Sequence, residues 1–272
     1  LLLLSCEKSK DKAEEIPKNY LLNELLPDET GIDFTNKITE DPEHSIINYI
    51  YYYNGAGVAA GDINNDGLPD LYFVSNMAEN KLYLNKGNME FQDITNKSGI
   101  SSKSSWNTGV SMVDINGDGF LDIYLCSVSG LLDFKGRNEL FVNNGDGTFT
   151  EKAAEYGLDF KGFSTQAYFF DYDKDMDLDV YIVNHAIHTT LSHGSASVRS
   201  NRVPLVGDVL LENKDGKFTD VSEKAGIYGG QNGYGLSATL ADFNNDGWDD
   251  LYVCNDFHED DYIFEAILKV SN

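Results

Sequence analysis

Cationic side chains are scarce in this sequence. Only 20 Lys and Arg stand against 45 Asp and Glu in 272 residues, giving a formal net charge of −25 and a pI near 4.3. Binding nucleic acid requires clustered Lys and Arg to neutralise phosphates, so that partner class is excluded. The same repulsion disfavours an anionic membrane surface. Proline occurs five times and cysteine three times, too few for a proline-rich linker or a disulfide scaffold. No internal stretch reaches the ~18 consecutive apolar residues of a membrane-spanning helix. A nucleophile elbow and a phosphate-cradling P-loop are both missing. What is abundant is apolar and turn-forming: 41% hydrophobic residues, 16 Tyr, 15 Phe and 25 Gly. That composition belongs to a core-forming chain with many tight turns, not to a disordered acidic tail.

The chain opens with Leu1-Leu2-Leu3-Leu4-Ser5-Cys6, followed by Glu7-Lys8-Ser9-Lys10-Asp11-Lys12. An apolar run ending in a small residue and cysteine resembles a bacterial lipobox. Residues 1–6 therefore read as a signal-peptide remnant with Cys6 as the lipid-bearing residue. Residues 7–28 read as a charged tether. Contact with a membrane is expected only through that anchor. The expected location is extracytoplasmic, lipid-anchored to the bacterial outer membrane or cell surface. Cys126 and Cys254 stand where equivalent repeats carry Val74 and Val183, which marks a buried apolar slot and no thiol chemistry.

Four copies of one unit dominate the rest: GVAAGDINNDGLPDLYFVSN at 57–76, GVSMVDINGDGFLDIYLCSV at 109–128, QAYFFDYDKDMDLDVYIVNH at 166–185 and SATLADFNNDGWDDLYVCND at 237–256. A second string follows the first three, clearest as ELFVNNGDGTFTEKA at 139–153. Each unit reads as four short strands: a small apolar one from Gly57 to Ile63, then Leu71–Val74, Lys81–Asn85 and Phe91–Thr95. The Asn144-Gly145-Asp146-Gly147 turn is a strong hairpin signal. Four strands per ~50-residue repeat specify propeller blades. The expected fold is all-β, a β-propeller of about four blades at 53–100, 105–158, 163–227 and an incomplete 233–272. These blades form one repeat region over 29–272. The fourth unit lacks the hairpin turn, so the blades belong to a larger propeller, or Gly31–Ile38 closes a four-bladed ring as the missing outer strand.

Between the first and second strands of each unit runs D-x-[DN]-x-D, with a further Asp at position 9. Oxygens at positions 1, 3, 5 and 9 of a tight loop converge on one point. That is the hard, oxygen-only environment Ca²⁺ requires. The proposed ligands are Asp62, Asn64, Asp66 and Asp70; Asp114, Asn116, Asp118 and Asp122; Asp171, Asp173, Asp175 and Asp179; and Asp242, Asn244, Asp246 and Asp250. Up to four structural Ca²⁺ ions follow. An EF-hand is excluded, because its position 12 needs a bidentate Glu and here holds Phe73, Leu125, Ile182 and Val253. The third loop departs from the others, with Met176 where a Gly is expected and extra carboxylates at Asp173 and Asp177.

These strings resemble the FG-GAP/VCBS repeats of the ASPIC/UnbV, cartilage-acidic-protein-like group, a Bacteroidetes-type lipoprotein family. The resemblance spans roughly residues 29–264. It implies an integrin-α-like propeller with calcium in the blade loops and an extracytoplasmic location. It transfers no activity, since one fold hosts many functions.

Residues leading into the inner strands, Asn54, Trp106, Asn107, Gln166 and Tyr234, are expected to line one mouth of the central channel. Aromatics beside amides suit sugar or peptide. The long insertion at 185–207 carries His185 and His188, further candidate ligand contacts. The functional expectation is a calcium-stabilised binding or adhesion module without catalysis of its own, its protein or glycan ligand unspecified. The alternatives are a polysaccharide-acting enzyme with its site at that mouth and a structural subunit of a cell-envelope complex.

Overall fold

The computed structural model describes residues 21–187, 201–257 and 259–266; Cys6 and His188 lie outside them. Four antiparallel sheets follow one another along the chain. The first contains β1 (Val58–Gly61), β2 (Asp70–Phe73), β3 (Lys81–Asn85) and β4 (Phe91–Asp93). The second contains β5 (Asn107–Val113), β6 (Asp122–Ser127), β7 (Glu139–Asn143) and β8 (Phe149–Glu151). The third contains β9 (Ser164–Phe170), β10 (Asp179–Asn184), β11 (Val209–Lys214) and β12 (Lys217–Asp220). Among the described residues the fourth has three strands, β13 (Gly235–Ala241), β14 (Asp250–Asn255) and β15 (Tyr262–Phe264). Strands adjacent in sequence are adjacent in space, so each sheet is a meander and the architecture is that of propeller blades. No helix among the described residues is long and apolar enough to cross a membrane.

The second strand of each blade explains why the repeat is so apolar there. Every residue of β6 and of β10 is buried, because each strand is covered on both faces by neighbouring blades. Phe149 of β8 shares a core with Ile63, Tyr72 and Leu82 of the first blade. Phe218 of β12 does the same with Tyr124, Leu140 and Val142 of the second. Outer-strand phenylalanines thus tie each blade to the one before it. Cys126 sits in this inter-blade core, Cys254 is half-buried in β14, and both are free thiols.

Successive inner strands are held together by hydrogen bonds between blades. Gly57 N donates to Thr108 O at 2.6 Å, Thr108 Oγ1 to Ser164 O at 2.6 Å and Thr165 Oγ1 to Gly235 O at 3.0 Å. The crowding is greatest at Gly109, where a Cβ would lie 2.0 Å from Gln166 Oε1 and 2.3 Å from Thr165 O. Only glycine permits that approach.

Two expectations need correction. The first strand ends at Gly61 and not at Ile63, because Ile63 N turns away to donate to Asp70 Oδ2. Gly31–Ile38 forms no strand and does not join the fourth sheet. It runs along the first blade instead: Asp33 accepts the Tyr83 hydroxyl at 2.8 Å, Phe34 stacks on Phe73 at 5.0 Å, and Asn36 bonds Ser75 and Asn76. Blade one offers those partners, and the resemblance of this segment to an outer strand does not.

The next segment clamps the blades together. Tyr49 packs edge-on against Trp106 and Phe134 from blade two and stacks on His185 from blade three. Tyr51 meets Phe257 beyond β14, and Tyr52 lies 4.9 Å from Trp106. This aromatic hub is buried. Its near end is fastened by His44, whose Nδ1 lies 2.8 Å from Asp41 Oδ2 and whose Nε2 lies 2.7 Å from Asp133 Oδ1. The Asp133 carboxylate, then that of Asp41, raises the His44 pKa above its ordinary value.

A group with a raised folded pKa stabilises fully below its unfolded value, ~6.5 for histidine, and loses that contribution as pH rises through the folded value. His44→Gln should therefore lower the melting temperature relative to wild type at pH 6, with the deficit vanishing by about pH 9. An equal deficit at both pH values would reject an ionic clamp.

Candidate metal loops and ligand cavity

Each acidic loop is built on two aspartates that bind backbone. Asp62 takes N–H donors from Asp66 at 3.1 Å and Gly67 at 2.7 Å; Asp114, Asp171 and Asp242 repeat the arrangement. The ninth-position carboxylate crosses strands. Asp122 accepts Ile115 N at 3.1 Å on one oxygen and Asn143 N at 2.7 Å on the other. Asp70, Asp179 and Asp250 do the same in their own blades. All four are buried. Burial pushes the pKa of Asp122 up to about 6 and that of Asp179 to about 7, against the N–H donors that lower both.

The third position divides the loops into two kinds. Asn64, Asn116 and Asn244 each donate Nδ2 to the fifth-position carboxylate, at 3.0, 2.9 and 3.0 Å. Those loops are stitched internally. Asp173 has no such donor, and Asp171, Asp173 and Asp179 bring ligand oxygens within 4.8 Å of one another. Among the described residues this is the one cluster of three carboxylates so placed. Asp173 Oδ1 and Asp177 Oδ1 are buried without a hydrogen-bond partner. An all-oxygen, all-anionic donor set with unspent lone pairs fits a hard divalent cation. The loop that looked poorest in sequence, for want of glycine, thus has the most open ligand geometry.

The expected mouth residues separate. Asn54, Trp106, Gln166 and His185 line a cavity of about 400 Å³ with Tyr49, Tyr51, Thr108, Thr165 and Tyr168. Asn107 does not line it; its backbone carbonyl accepts Asn76 Nδ2 at 2.8 Å and its side chain accepts Ser102 Oγ. Tyr234 is fully buried behind the wall, bridged to His185 and edge-on to Phe257. His185 begins the long insertion, yet it is buried, because β9 and the Tyr49 ring cover it. Tyr49 hydroxyl lies 2.7 Å from Nε2, and Thr165 Oγ1 lies 3.3 Å from Nδ1. Burial holds the His185 pKa down at about 3. The imidazole is a neutral pin between the Tyr49 segment and the third blade.

Sequence reasoning passed over a second set of pins. Asn80, Asn138, Asp208 and Asp261 each precede a third strand and accept the N–H of Ser75, Ser127, Asn184 and Asn255. In the last two blades the second-strand tyrosine also donates there, Tyr181 to Asp208 at 2.7 Å and Tyr252 to Asp261 at 2.8 Å. The signal was present as an Asn or Asp one residue before each third strand.

A family model described as FG-GAP-like repeat matches residues 62–125, 128–182 and 197–253. The chain belongs to the FG-GAP-like repeat family. The matched segments contain all four acidic loops and the pins Asn80, Asn138 and Asp208, while Asp261 lies beyond the last of them. Cartilage acidic protein 1 of Xenopus tropicalis is 28% identical over 205 residues, covering 74% of this chain and 29% of that protein. Cartilage acidic protein 1 of Mus musculus is 26% identical over 210 residues, with the same coverages. The chain thus spans under a third of the length of these curated relatives.

Within the FG-GAP-like loops, Gly67, Gly119 and Gly247 have φ of 86°, 88° and 87°, and Met176 takes the same left-handed conformation at φ 76°. Its side chain is 93% exposed, so no packing offsets the strain. Met176→Gly should stabilise the protein by roughly 0.5–1 kcal/mol, the ~1–2 kcal/mol of relieved strain exceeding glycine's ~0.4–1 kcal/mol unfolded-state entropy. Urea denaturation in chelator measures it, and a lower midpoint for the variant would contradict the strain.

Proposed function

We propose that this chain is a calcium-stabilised binding or adhesion module working outside the cytoplasm, with Cys6 as its lipid anchor. The observation that carries the reading is the loop array. Four acidic loops stand in register, each tied to its blade by a buried ninth-position carboxylate, and in the third three carboxylates converge. Asp171, Asp173 and Asp179 would hold the cation there, with Asp175 and Asp177 adjacent. Asp62, Asn64, Asp66 and Asp70 would do so in the first loop, and their counterparts Asp114, Asn116, Asp118, Asp122, Asp242, Asn244, Asp246 and Asp250 in the second and fourth. A bound cation supplies positive charge that offsets carboxylate repulsion and links the loop to the first two strands of its blade.

Binding, and not hydrolysis, is favoured by the cavity between the inner strands. Among the described residues no Asp, Glu, Lys or Arg lines it, and both nitrogens of the one histidine among them are engaged within the protein. General acid–base chemistry needs a titratable group within reach of substrate. The extracellular setting accords with the FG-GAP-like repeats and with the acidic character in the name of the relatives.

Melting the full chain in excess EGTA, then in millimolar Ca²⁺ or Mg²⁺, tests the calcium role. Ligand binding to the folded state alone adds about 4 kcal/mol per site at 1,000 times Kd. The expected result is a rise in melting temperature of many degrees with Ca²⁺ and little with Mg²⁺, reduced in Asp173→Ala. An unchanged, cooperative melt in all three conditions would sink the proposal.

A further inference from the structure

We propose that the cavity between the inner strands is a site for an uncharged carbohydrate, an inference that rests on reading the chain as a binding module. Every described residue of the cavity's lining is uncharged, although 24% of the chain is Asp, Glu, Lys or Arg. Among the described residues, charge is kept out of the concavity that β5, β9, β13 and the segment 49–57 share. With a net charge of −25 around it and no cation inside, a sulfated, sialylated or uronate ligand is repelled and finds no partner.

The hydrogen-bonding polarity narrows the class further. Gln166 Nε2 is committed to Val110 O at 3.0 Å and Ser111 Oγ at 3.1 Å, which leaves the Gln166 carbonyl oxygen as an acceptor beside Gly109. Thr108 spends its hydroxyl proton on Ser164 O, so its oxygen also remains as an acceptor, whereas Thr165, its proton on Gly235 O, faces His185 Nδ1 at 3.3 Å. Asn54 is exposed at the rim and offers both a donor and an acceptor. The carbonyl oxygen of Gln166 and the hydroxyl oxygen of Thr108 select donors on a ligand, and the Tyr168 hydroxyl, which accepts Ala238 N, can donate one proton in return. A polyol brings one hydroxyl donor per carbon, whereas a carboxylate or sulfate brings only more acceptors.

The apolar surface between these groups comes from Tyr168 and Leu236, with Tyr51 at its edge and Trp106 buried behind, matching the C–H faces of a sugar ring. The volume, about 400 Å³, lies at the small end of ligand pockets, roughly 300–1,000 Å³. That is room for a short sugar segment and not for a folded partner. The inner-strand hydrogen bonds that fix Gln166 and Thr108 also pre-organise the site.

The chain has two tryptophans, and only Trp106 lines the cavity. Trp248→Phe in the full calcium-loaded chain therefore makes Trp106 emission a local reporter. Titrate it with neutral gluco-, manno- and galacto-oligosaccharides, with oligogalacturonate and heparin fragments, and with an uncharged peptide library. The expected result is a saturable change with at least one neutral oligosaccharide. It should be insensitive to salt between roughly 0.05 and 0.5 M and weakened about tenfold or more by Gln166→Ala or Asn54→Ala. Asn54→Ala, at the exposed rim, carries the test if Gln166→Ala disturbs folding; Thr108→Val removes an acceptor together with the bond to Ser164 O, so its melt is compared with wild type first. A response confined to anionic sugars overturns the proposal, as does a neutral response unchanged in all three variants. A response to peptide alone overturns the carbohydrate class and leaves the binding module standing. No response to any probe overturns both.

Discussion

The buried carboxylate at the ninth loop position is the interaction on which each blade depends. Its two oxygens receive backbone N–H groups from two different places, one just past the end of the first strand and one at the end of the third. Taking a carboxylate out of water is costly, and the cost is offset only if its lone pairs are met. Here they are met by the very groups that would otherwise be orphaned where the strands end. The acidic loop, the strand order and the spacing of the first three strands in a blade follow from that one side chain. The Asn or Asp before the third strand does the corresponding job at the far end of the second strand.

Charge is partitioned accordingly. Carboxylates crowd the loops at one end of the blades and, among the described residues, do not line the cavity formed by the inner strands. The inner strands are small-residue strands because they run close together, with Gly109 in direct contact with Gln166 and Thr165. The same closeness orients the neutral polar groups that face the cavity. The acidic loops and the cavity occupy opposite ends of the first strands, so that one can vary without dismantling the other.

Much of the architecture was legible in one dimension. A four-fold internal repeat with period-two apolar strands, a hairpin turn and an acidic loop at a constant place admits few folds other than a propeller. Met176 in a glycine position announced a left-handed residue, and the backbone has one there. Less visible was the difference between asparagine and aspartate at the third loop position. In sequence both are oxygen donors; in space the amide's N–H₂ stitches the loop shut and the second carboxylate leaves it open. The tyrosine run at 49–53 has no periodicity and no turn signal, so nothing in it disclosed a clamp on three blades.

By itself, then, the sequence determined the repeat, the strand pattern and the acidic loops, because these depend on neighbours a few residues apart. Tertiary structure alone decided where Gly31–Ile38 lies, that His185 is a buried neutral pin in the cavity wall, and which mouth residues share a cavity. Those outcomes depend on pairs such as Tyr49 with His185, 136 positions apart. Whether such pairs meet is set by how whole blades pack, which local spacing does not encode.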